Sequence, residues 1–169
     1  MKLKDWAYIA EILGGIAIIA SLIFVGIQIN ENSLETRSAT FQAMTDSDLA
    51  VVSQFTLNPD LALDYYTFRI DPESLTVEQS FPVSAWIVLL MRQMENVYEQ
   101  YQAGIVPEAR WQSSKRVIES MVLSKGGACW VNTSGSINNI GGKLKDDIIM
   151  PAFENSRFRN LDMKCPPLL

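Results

Sequence analysis

Residues 11–30 read EILGGIAIIASLIFVGIQIN, an apolar run that decides how the rest of the chain is interpreted. No charged residue occurs from Ile12 to Ile29, and Glu11 is the only one from Trp6 to Ile29. A helix needs about 20 predominantly apolar residues to cross the hydrocarbon core of a bilayer. The run therefore predicts a transmembrane helix. An interfacial or buried helix and a cleaved signal peptide are the alternatives.

The residues that flank the run indicate an uncleaved signal anchor over residues 1–30. No small-residue cleavage site follows the apolar residues, as a cleaved signal peptide would require. Lys2 and Lys4 precede the run, and acidic residues outnumber basic ones after it. Because basic flanks favour the cytoplasmic side of a membrane, the N-terminus is predicted to be cytoplasmic and the rest of the chain to be exported.

The two sides of the predicted anchor helix differ in side-chain size. One side carries small and polar residues, namely Ala7, Ala10, Glu11, Gly14, Ala17, Ser21 and Gln28. The other side carries bulky aliphatic residues, among them Ile12, Ile16, Ile19, Ile23 and Ile27. Lipid contacts suit bulky aliphatic side chains, whereas helix contacts within lipid favour small residues. The small side is predicted to pack on another helix, although small residues are also frequent in transmembrane helices without such a role.

Glu11 is the one carboxylate of the predicted span. It lies about 7 Å deeper than Trp6 along the helix axis, at about 1.5 Å per residue. A carboxylate at this depth either extends to the headgroup water or pairs with a partner inside the membrane. The sequence leaves both roles open.

The remaining chain has the pattern of successive helices. A helix is predicted over residues 32–55, with candidate buried positions Leu34, Phe41, Met44, Leu49 and Val52. Asn58-Pro59 ends it, because proline disfavours helix at the preceding residue, and a short helix follows over 61–68. Residues 31–150 are predicted to form one helical extramembrane domain, followed by an irregular tail over 151–169.

The clearest local signals surround a helix in the middle of the chain. Thr76 and Gln79 have the spacing of a capping box at its start, and Gly104 is placed to end it. Pro107 is placed to open the next helix, which Gly126-Gly127 is predicted to end. Weaker helical patches cover 128–132 and 137–150. No strand pattern is convincing, so the predicted fold class is all-α: one transmembrane helix, then a small helical bundle.

Composition excludes several classes of function. The 169 residues include no histidine, which removes the usual nucleophile–base pairs and the commonest zinc ligand. The net charge is −5 and no basic cluster is present, so nucleic acid is not expected as a partner. No catalytic, cofactor-binding or metal-binding residues are predicted. Charge is uneven, with acidic residues in excess before residue 100 and basic residues in excess after it.

Three short motifs carry polar groups without forming a persuasive site. Residues 135–143 resemble a phosphate-binding loop, but the spacing and the following Leu144 do not fit one. Arg92, Glu95 and Glu99 lie one helical turn apart and are predicted to make local ion pairs. Asp64-Tyr65-Tyr66 has no second group to act with.

Cys129 and Cys165 form a possible disulfide. Export would place them in an oxidising compartment, where a bond would tie the tail to the helical domain. Two buried free thiols are the alternative.

Several segments together resemble a widespread group of uncharacterised bacterial membrane proteins. The similarity lies in Trp6-x-x-Ile-Ala-Glu-Ile-Leu-Gly-Gly-Ile-Ala, Ser21-Leu-Ile, Gln28-Ile-x-x-Asn32, Asn58-Pro-Asp-Leu-Ala and Glu95-Asn-x-Tyr-x-Gln-Tyr-x-x-Gly104. It covers residues 5 to about 131 and does not include Cys165. The resemblance implies a bacterial source, a single anchor and a small helical domain, and it implies no activity. Combined with the orientation predicted above, a bacterial source would place the anchor in the inner membrane and the helical domain in the periplasm.

These features lead to three functional expectations. The first is a non-enzymatic accessory or scaffold subunit that packs on an integral membrane protein complex through the small side of its anchor. The second is a homo-oligomeric pore or sensor in which copies of the chain contact each other through that side. The third, a membrane-tethered enzyme, has no residues in the sequence to support it.

Overall fold

The structure, a computed structural model, describes residues 3–133, 135–160 and 164–168, with side chains for all of these except 3–5, 7, 136 and 139. Every regular element in these ranges is helical and none is a strand. The predicted all-α class is therefore confirmed, as is a long apolar helix at the N-terminus followed by a helical region.

The helices follow the breaks that proline, asparagine and glycine introduce in the sequence. Their bounds are α1 Leu3–Leu57, α2 Pro59–Ile70, α3 Val77–Gln102, α4 Glu108–Val122, α5 Lys125–Thr133, α6 Gly142–Leu144 and α7 Met150–Glu154. Two 3-10 turns cover Pro72–Ser74 and Gly135–Asn139, and a π-helical turn over Lys145–Ile149 joins α6 to α7.

The chain divides into two compact units, Met1–Ala43 and Met44–Leu169. The division falls within α1, so the predicted boundary at residue 30 lies inside a helix. The predicted boundary at residue 150 coincides with the start of α7. The first unit consists of the helix alone over its described residues. The second unit contains the end of α1 and all the other elements.

Helix α3 supplies more of the core of the second unit than any other described helix does. Val83, Ile87, Met91 and Val97 are fully buried along it. The neighbouring helices add fully buried side chains, namely Phe68, Ile118, Val122, Trp130 and Ile149. Close packing of this kind, rather than intrinsic helix propensity, supplies most of the stability of short helices.

The predicted helix ends of α3 are confirmed in detail. The Gln79 main-chain N–H donates to the Thr76 hydroxyl at 3.4 Å, and the Thr76 N–H donates to the Gln79 side chain at 3.1 Å. These two bonds are the reciprocal pair of a capping box. After the helix, Gly104 has φ +72°, the left-handed conformation that favours glycine at a helix C-terminus.

The predicted buried face of α1 is wrong at four of its five positions. Met44 is buried, whereas the other four are exposed: Leu34, Phe41, Leu49 and Val52. The helix instead turns Met44, Val51 and Phe55 toward the core of the second unit. Apolar residues occur on several sides of this part of α1. The hydrophobic pattern therefore does not define the buried side, which depends instead on the elements that pack against the helix.

Two expectations about the C-terminal third also need correction. Gly126 and Gly127 do not end a helix, because α4 has already ended at Val122 and both glycines lie inside α5. They allow close packing there: a Cβ on Gly126 would overlap the main-chain carbonyl of Phe68. The predicted irregular tail is helical from its start at residue 151 up to Glu154. Beyond Glu154 the described residues are irregular as predicted, with turns within 155–160 and no regular structure over 164–168.

Candidate functional site

The small side of α1 is fully accessible within its own unit. Ala10, Glu11, Gly14, Ala17, Ser21 and Gln28 are all exposed. Ala7 lies on the same helix, and its side chain is outside the described part of the structure. Apart from the adjoining backbone of α1 itself, no described atom lies within 4 Å of the place that a Cβ on Gly14 would occupy. The side predicted to make a helix contact is thus open to one.

The bulky side of α1 is equally exposed. Ile12, Ile16, Ile19, Ile23 and Ile27 each present between 52% and 63% of their surface. In the described part of the chain, α1 is the one helix long and apolar enough to cross a membrane, and no residue of its most apolar stretch is buried. A soluble protein rarely exposes a continuous apolar surface of this extent, whereas lipid contact favours it.

A shallow apolar groove crosses the second unit where α1, α3 and α4 meet. Its volume is about 210 Å³, and Val51, Val52, Leu90, Met94 and Val117 provide its apolar lining. Val52 and Val117 are exposed at its edge, whereas Leu90 and Met94 are buried beneath it. Nothing in the groove indicates what occupies it.

A polar network crosses the same groove. Arg110 forms an ion pair with Asp48, which also accepts a hydrogen bond from the Gln93 amide at 3.2 Å. The Ser47 hydroxyl donates to the oxygen of Gln93 at 2.7 Å. Because Gln93 is 93% buried, these bonds satisfy a polar group that is costly to leave unpaired. The network therefore joins α1, α3 and α4, and only the buried Arg110 Nε has no hydrogen-bond partner among its described atoms.

A second cavity, called the basic pocket below, has a different character. It encloses about 410 Å³ at the end of α2 and the start of α5. Arg69, Lys125 and Arg157 line it together with Ser124. Its other lining residues are apolar or aromatic, namely Tyr66, Ile70, Leu123 and Phe158. Among the described residues, no acidic side chain lines it. Cavities of this size accept small organic ligands.

The polar side chains of the sequence motifs make structural contacts within the second unit. Arg92 pairs with Glu95 at 2.9 Å, which confirms the predicted local ion pair. The Asp64 carboxylate accepts a hydrogen bond from Gln79 at 2.7 Å. Tyr65 stacks on Phe55, and burial raises the pKa of its phenol. None of these groups is arranged as an acid–base pair.

The glycine-rich segment 135–143 does not form a phosphate loop. Its start is the 3-10 turn Gly135–Asn139, and no strand precedes it in the described part of the chain. A Cβ on Gly141 would overlap the carboxylate of Glu95, so an acidic group lies against this segment. Within the described ranges, no group of three or more histidine, cysteine, aspartate or glutamate residues is placed to hold a metal ion.

Cys129 and Cys165 form a disulfide in the structure, with Cα atoms 5.6 Å apart. Cys129 is fully buried in α5, and Cys165 lies in the segment after residue 163. The bond attaches that segment to the core of the second unit. The oxidation state of the two thiols in the expressed protein stays a prediction.

The basic pocket is the feature that sequence reasoning missed. Arg69, Lys125 and Arg157 are far apart in the chain, and no motif or regular spacing links them. The only signal available was the excess of basic residues after residue 100. That excess predicts neither the contribution of Arg69 to the pocket nor the aromatic side chains that line it.

Comparison with protein-family models, curated proteins and solved structures gives no match for the chain. The resemblance to a bacterial membrane family therefore stays a prediction, and the function is argued from the geometry alone.

Proposed function

We propose that the protein is a membrane-anchored accessory subunit, without catalytic activity of its own, that packs on an integral membrane protein through the small side of α1. The observation that carries the proposal is the exposure of both sides of the apolar part of α1. The bulky side suits lipid, and the small side suits a second helix at close approach.

The proposed topology places the N-terminus in the cytoplasm and the second unit in the periplasm of a bacterial cell. Lys2 and Lys4 before the apolar run, and the acidic residues after it, support this orientation. A helical unit with its own core then braces or covers the partner outside the membrane.

Photo-cross-linking from single positions of α1 tests the proposal in native membranes. A photoreactive side chain at Ser21, on the small side, is expected to give one discrete protein adduct. The same group at Ile23, on the bulky side, is expected to give lipid adducts only. The proposal is wrong if Ser21 gives no protein adduct, or if both positions give the same adducts.

A matched pair of glycine substitutions extends the test. Gly14 and Gly26 both lie in open space on α1, but they are separated by 12 residues, which is about 120° around the helix. Gly14→Leu fills the small side and is expected to abolish the Ser21 adduct. Gly26→Leu adds the same bulk on the lipid side and is expected to leave the adduct unchanged.

The same cross-links separate the first proposal from a homo-oligomeric pore or sensor, which the polar residues Glu11, Ser21 and Gln28 on the small side favour. An adduct with the mass of two copies of the chain supports self-assembly. In that case Glu11→Gln is expected to change conductance or gating without dissociating the oligomer. An adduct of a different mass supports the accessory subunit.

A further inference from the structure

The basic pocket brings three basic side chains together, and two of them form no ion pair with the residues that the structure describes. Within the described ranges, no carboxylate lies within ion-pair distance of the guanidinium groups of Arg69 or Arg157. Lys125 is the exception, with Asp71 at 3.5 Å and Glu73 at 3.4 Å. Two uncompensated cations in one cavity are unexpected in a chain of net charge −5, and they attract anions locally.

Arg69 is held in place by its uncharged neighbours. Its terminal nitrogen donates to the carbonyl oxygen of Ser120 at 3.1 Å and to the Ser120 hydroxyl at 2.8 Å. Its Nε atom is buried and has no hydrogen-bond partner in the described structure. The guanidinium is thus oriented by α4 while its charge stays available, as preorganised recognition of an anion requires.

The pocket also includes the first turn of α5, a helix of nine residues. The Ser124 hydroxyl accepts a hydrogen bond from the Gly127 main-chain N–H at 3.0 Å, so Ser124 caps this turn. Lys125 is the first residue of the helix. A helix N-terminus carries partial positive charge, which adds to that of the three basic side chains.

Apolar surface lies directly beside the positive charge. Tyr66, Ile70 and Leu123 are exposed by 62%, 58% and 42% at the wall of the pocket. The Arg157 guanidinium lies 4.6 Å from the centre of the Phe158 ring. A bare inorganic anion would contact the basic groups only. An anion with an apolar or aromatic body would contact both parts of the wall.

We propose that the basic pocket binds an oxyanion, a phosphate or carboxylate, carried on an aromatic or apolar group. Arg69, Lys125 and Arg157 contact the oxyanion, and the wall formed by Tyr66, Ile70 and Leu123 contacts its body. The same chemistry occurs in a free organic anion and in an anionic lipid headgroup, and the experiment distinguishes these two sources. The site is independent of the anchor contact proposed above.

The test measures binding to the full chain in nanodiscs at constant low ionic strength. In neutral phosphatidylcholine nanodiscs, phenyl phosphate is titrated and hydrogen exchange is followed in peptides that cover residues 66–70, 123–127 and 157–158. We expect saturable protection of all three peptides and a weaker effect of inorganic phosphate. In a second arm without phenyl phosphate, the nanodiscs contain phosphatidylglycerol.

Variants with matched controls decide the outcome. Loss of one charge-assisted hydrogen bond weakens binding about tenfold or more, so Arg69→Gln and Arg157→Gln are each expected to raise the dissociation constant by at least that factor. Arg157→Lys retains the charge, and its dissociation constant is expected to lie between those of the wild type and Arg157→Gln. Arg116→Gln removes an arginine that donates to Ser113 on the same helix and is not among the described lining residues of the pocket, and it is expected to leave the dissociation constant unchanged.

The pattern of protection across the two arms and the variants distinguishes support for the proposal from its rejection. Arginine-dependent protection by phenyl phosphate supports the proposal with a free anion as the source, and arginine-dependent protection only by phosphatidylglycerol supports it with a headgroup. The proposal is overturned by absence of protection in both arms, or by protection that Arg116→Gln weakens as much as Arg157→Gln does. Because Arg157 lies on an exposed turn, its variants keep the test valid even if Arg69→Gln disturbs folding.

Discussion

The indole N–H of Trp86 donates a hydrogen bond to the main-chain carbonyl of Val51, with the nitrogen and oxygen 3.0 Å apart. The bond joins α3 to the last turns of α1. The same indole ring stacks on Phe55, with ring centres 4.3 Å apart, and contacts Tyr65 at 4.8 Å. Polar and aromatic contacts at one residue therefore fix how α1 and α2 pack on α3 within the second unit.

Two substitutions of Trp86 are expected to destabilise the second unit to different extents. Trp86→Phe keeps an aromatic ring and removes the hydrogen bond, which typically contributes about 1 kcal/mol. Trp86→Ala also removes the stacking and creates a cavity, for a loss of about 3–5 kcal/mol. Denaturant unfolding of the detergent-solubilised chain, followed by circular dichroism, measures both. Leu89→Ala on the same helix is the control, with an expected change below about 0.5 kcal/mol because Leu89 is exposed. Equal losses for Leu89→Ala and Trp86→Ala would contradict the account.

The contact between Tyr101 and Glu108 is expected to make the free energy of unfolding depend on pH at both acidic and alkaline pH. The Tyr101 hydroxyl donates to the Glu108 carboxylate at 2.5 Å. This bond lowers the pKa of Glu108, which also accepts from Gln112, and raises the pKa of Tyr101. A lowered carboxyl pKa adds stability that is lost as pH falls through the folded-state value. A raised phenol pKa adds stability that is lost as pH rises through its folded-state value.

Tyr101→Phe tests this pH dependence, because it removes the hydroxyl and retains the ring that stacks on Trp111. We expect the free energy of unfolding of this variant to change less steeply with pH than that of the wild type. The difference is expected both below the ordinary pKa of glutamate and above pH ~10. Tyr66→Phe, on α2, serves as the control for loss of a tyrosine hydroxyl. Identical pH profiles for wild type and Tyr101→Phe would rule out the coupling.

The disulfide between Cys129 and Cys165 is expected to form in the exported protein and to stabilise it. The chain-entropy model gives about 4 kcal/mol for a closed loop of about 37 residues. Cys165→Ser is the cleaner variant, because Cys129 is fully buried and its replacement would also disturb packing. Peptide mapping without reductant is expected to recover the linked peptides from protein prepared under non-reducing conditions. Recovery of both thiols free would show that the bond does not form.

Gly126 is expected to tolerate no side chain. A Cβ there would overlap the Phe68 main-chain carbonyl, which cannot rotate away as a flexible side chain can. Overpacking typically costs about 1–3 kcal/mol, and we expect Gly126→Ala to lie at the upper end of that range. Gly135→Ala is the control, since no atom lies within 4 Å of a Cβ at that position. Thermal unfolding midpoints that fall equally for both variants would contradict the close packing of α5 on α2.

Local signals in the sequence predicted helix ends well, because the groups that form an end are neighbours in the chain. The bonds between Thr76 and Gln79 and the positive φ of Gly104 follow from residue type and spacing alone. The apolar run of α1 was predictable for a similar reason. Its length and lack of charge do not depend on any contact elsewhere in the molecule.

Features that depend on tertiary partners were not predictable. The buried side of α1 in the second unit is selected by Trp86 and Gln93 of α3, so Leu49 and Val52 are exposed although they are apolar. Gly126 has the sequence signature of a helix end, but its role is to allow close approach of α5 to α2. The basic pocket requires three helices and a turn to be placed before Arg69, Lys125 and Arg157 share a cavity.

The lipid-embedded helix is the claim on which the proposed function and the export of the cysteines depend. Flotation of cell membranes in a density gradient without detergent tests it most directly, because flotation separates lipid-bound protein from aggregates that merely sediment. We predict that the full-length chain floats with the lipid fraction, remains there after washing at high salt and high pH, and is released only by detergent. Recovery of the chain in the soluble fraction would contradict the account.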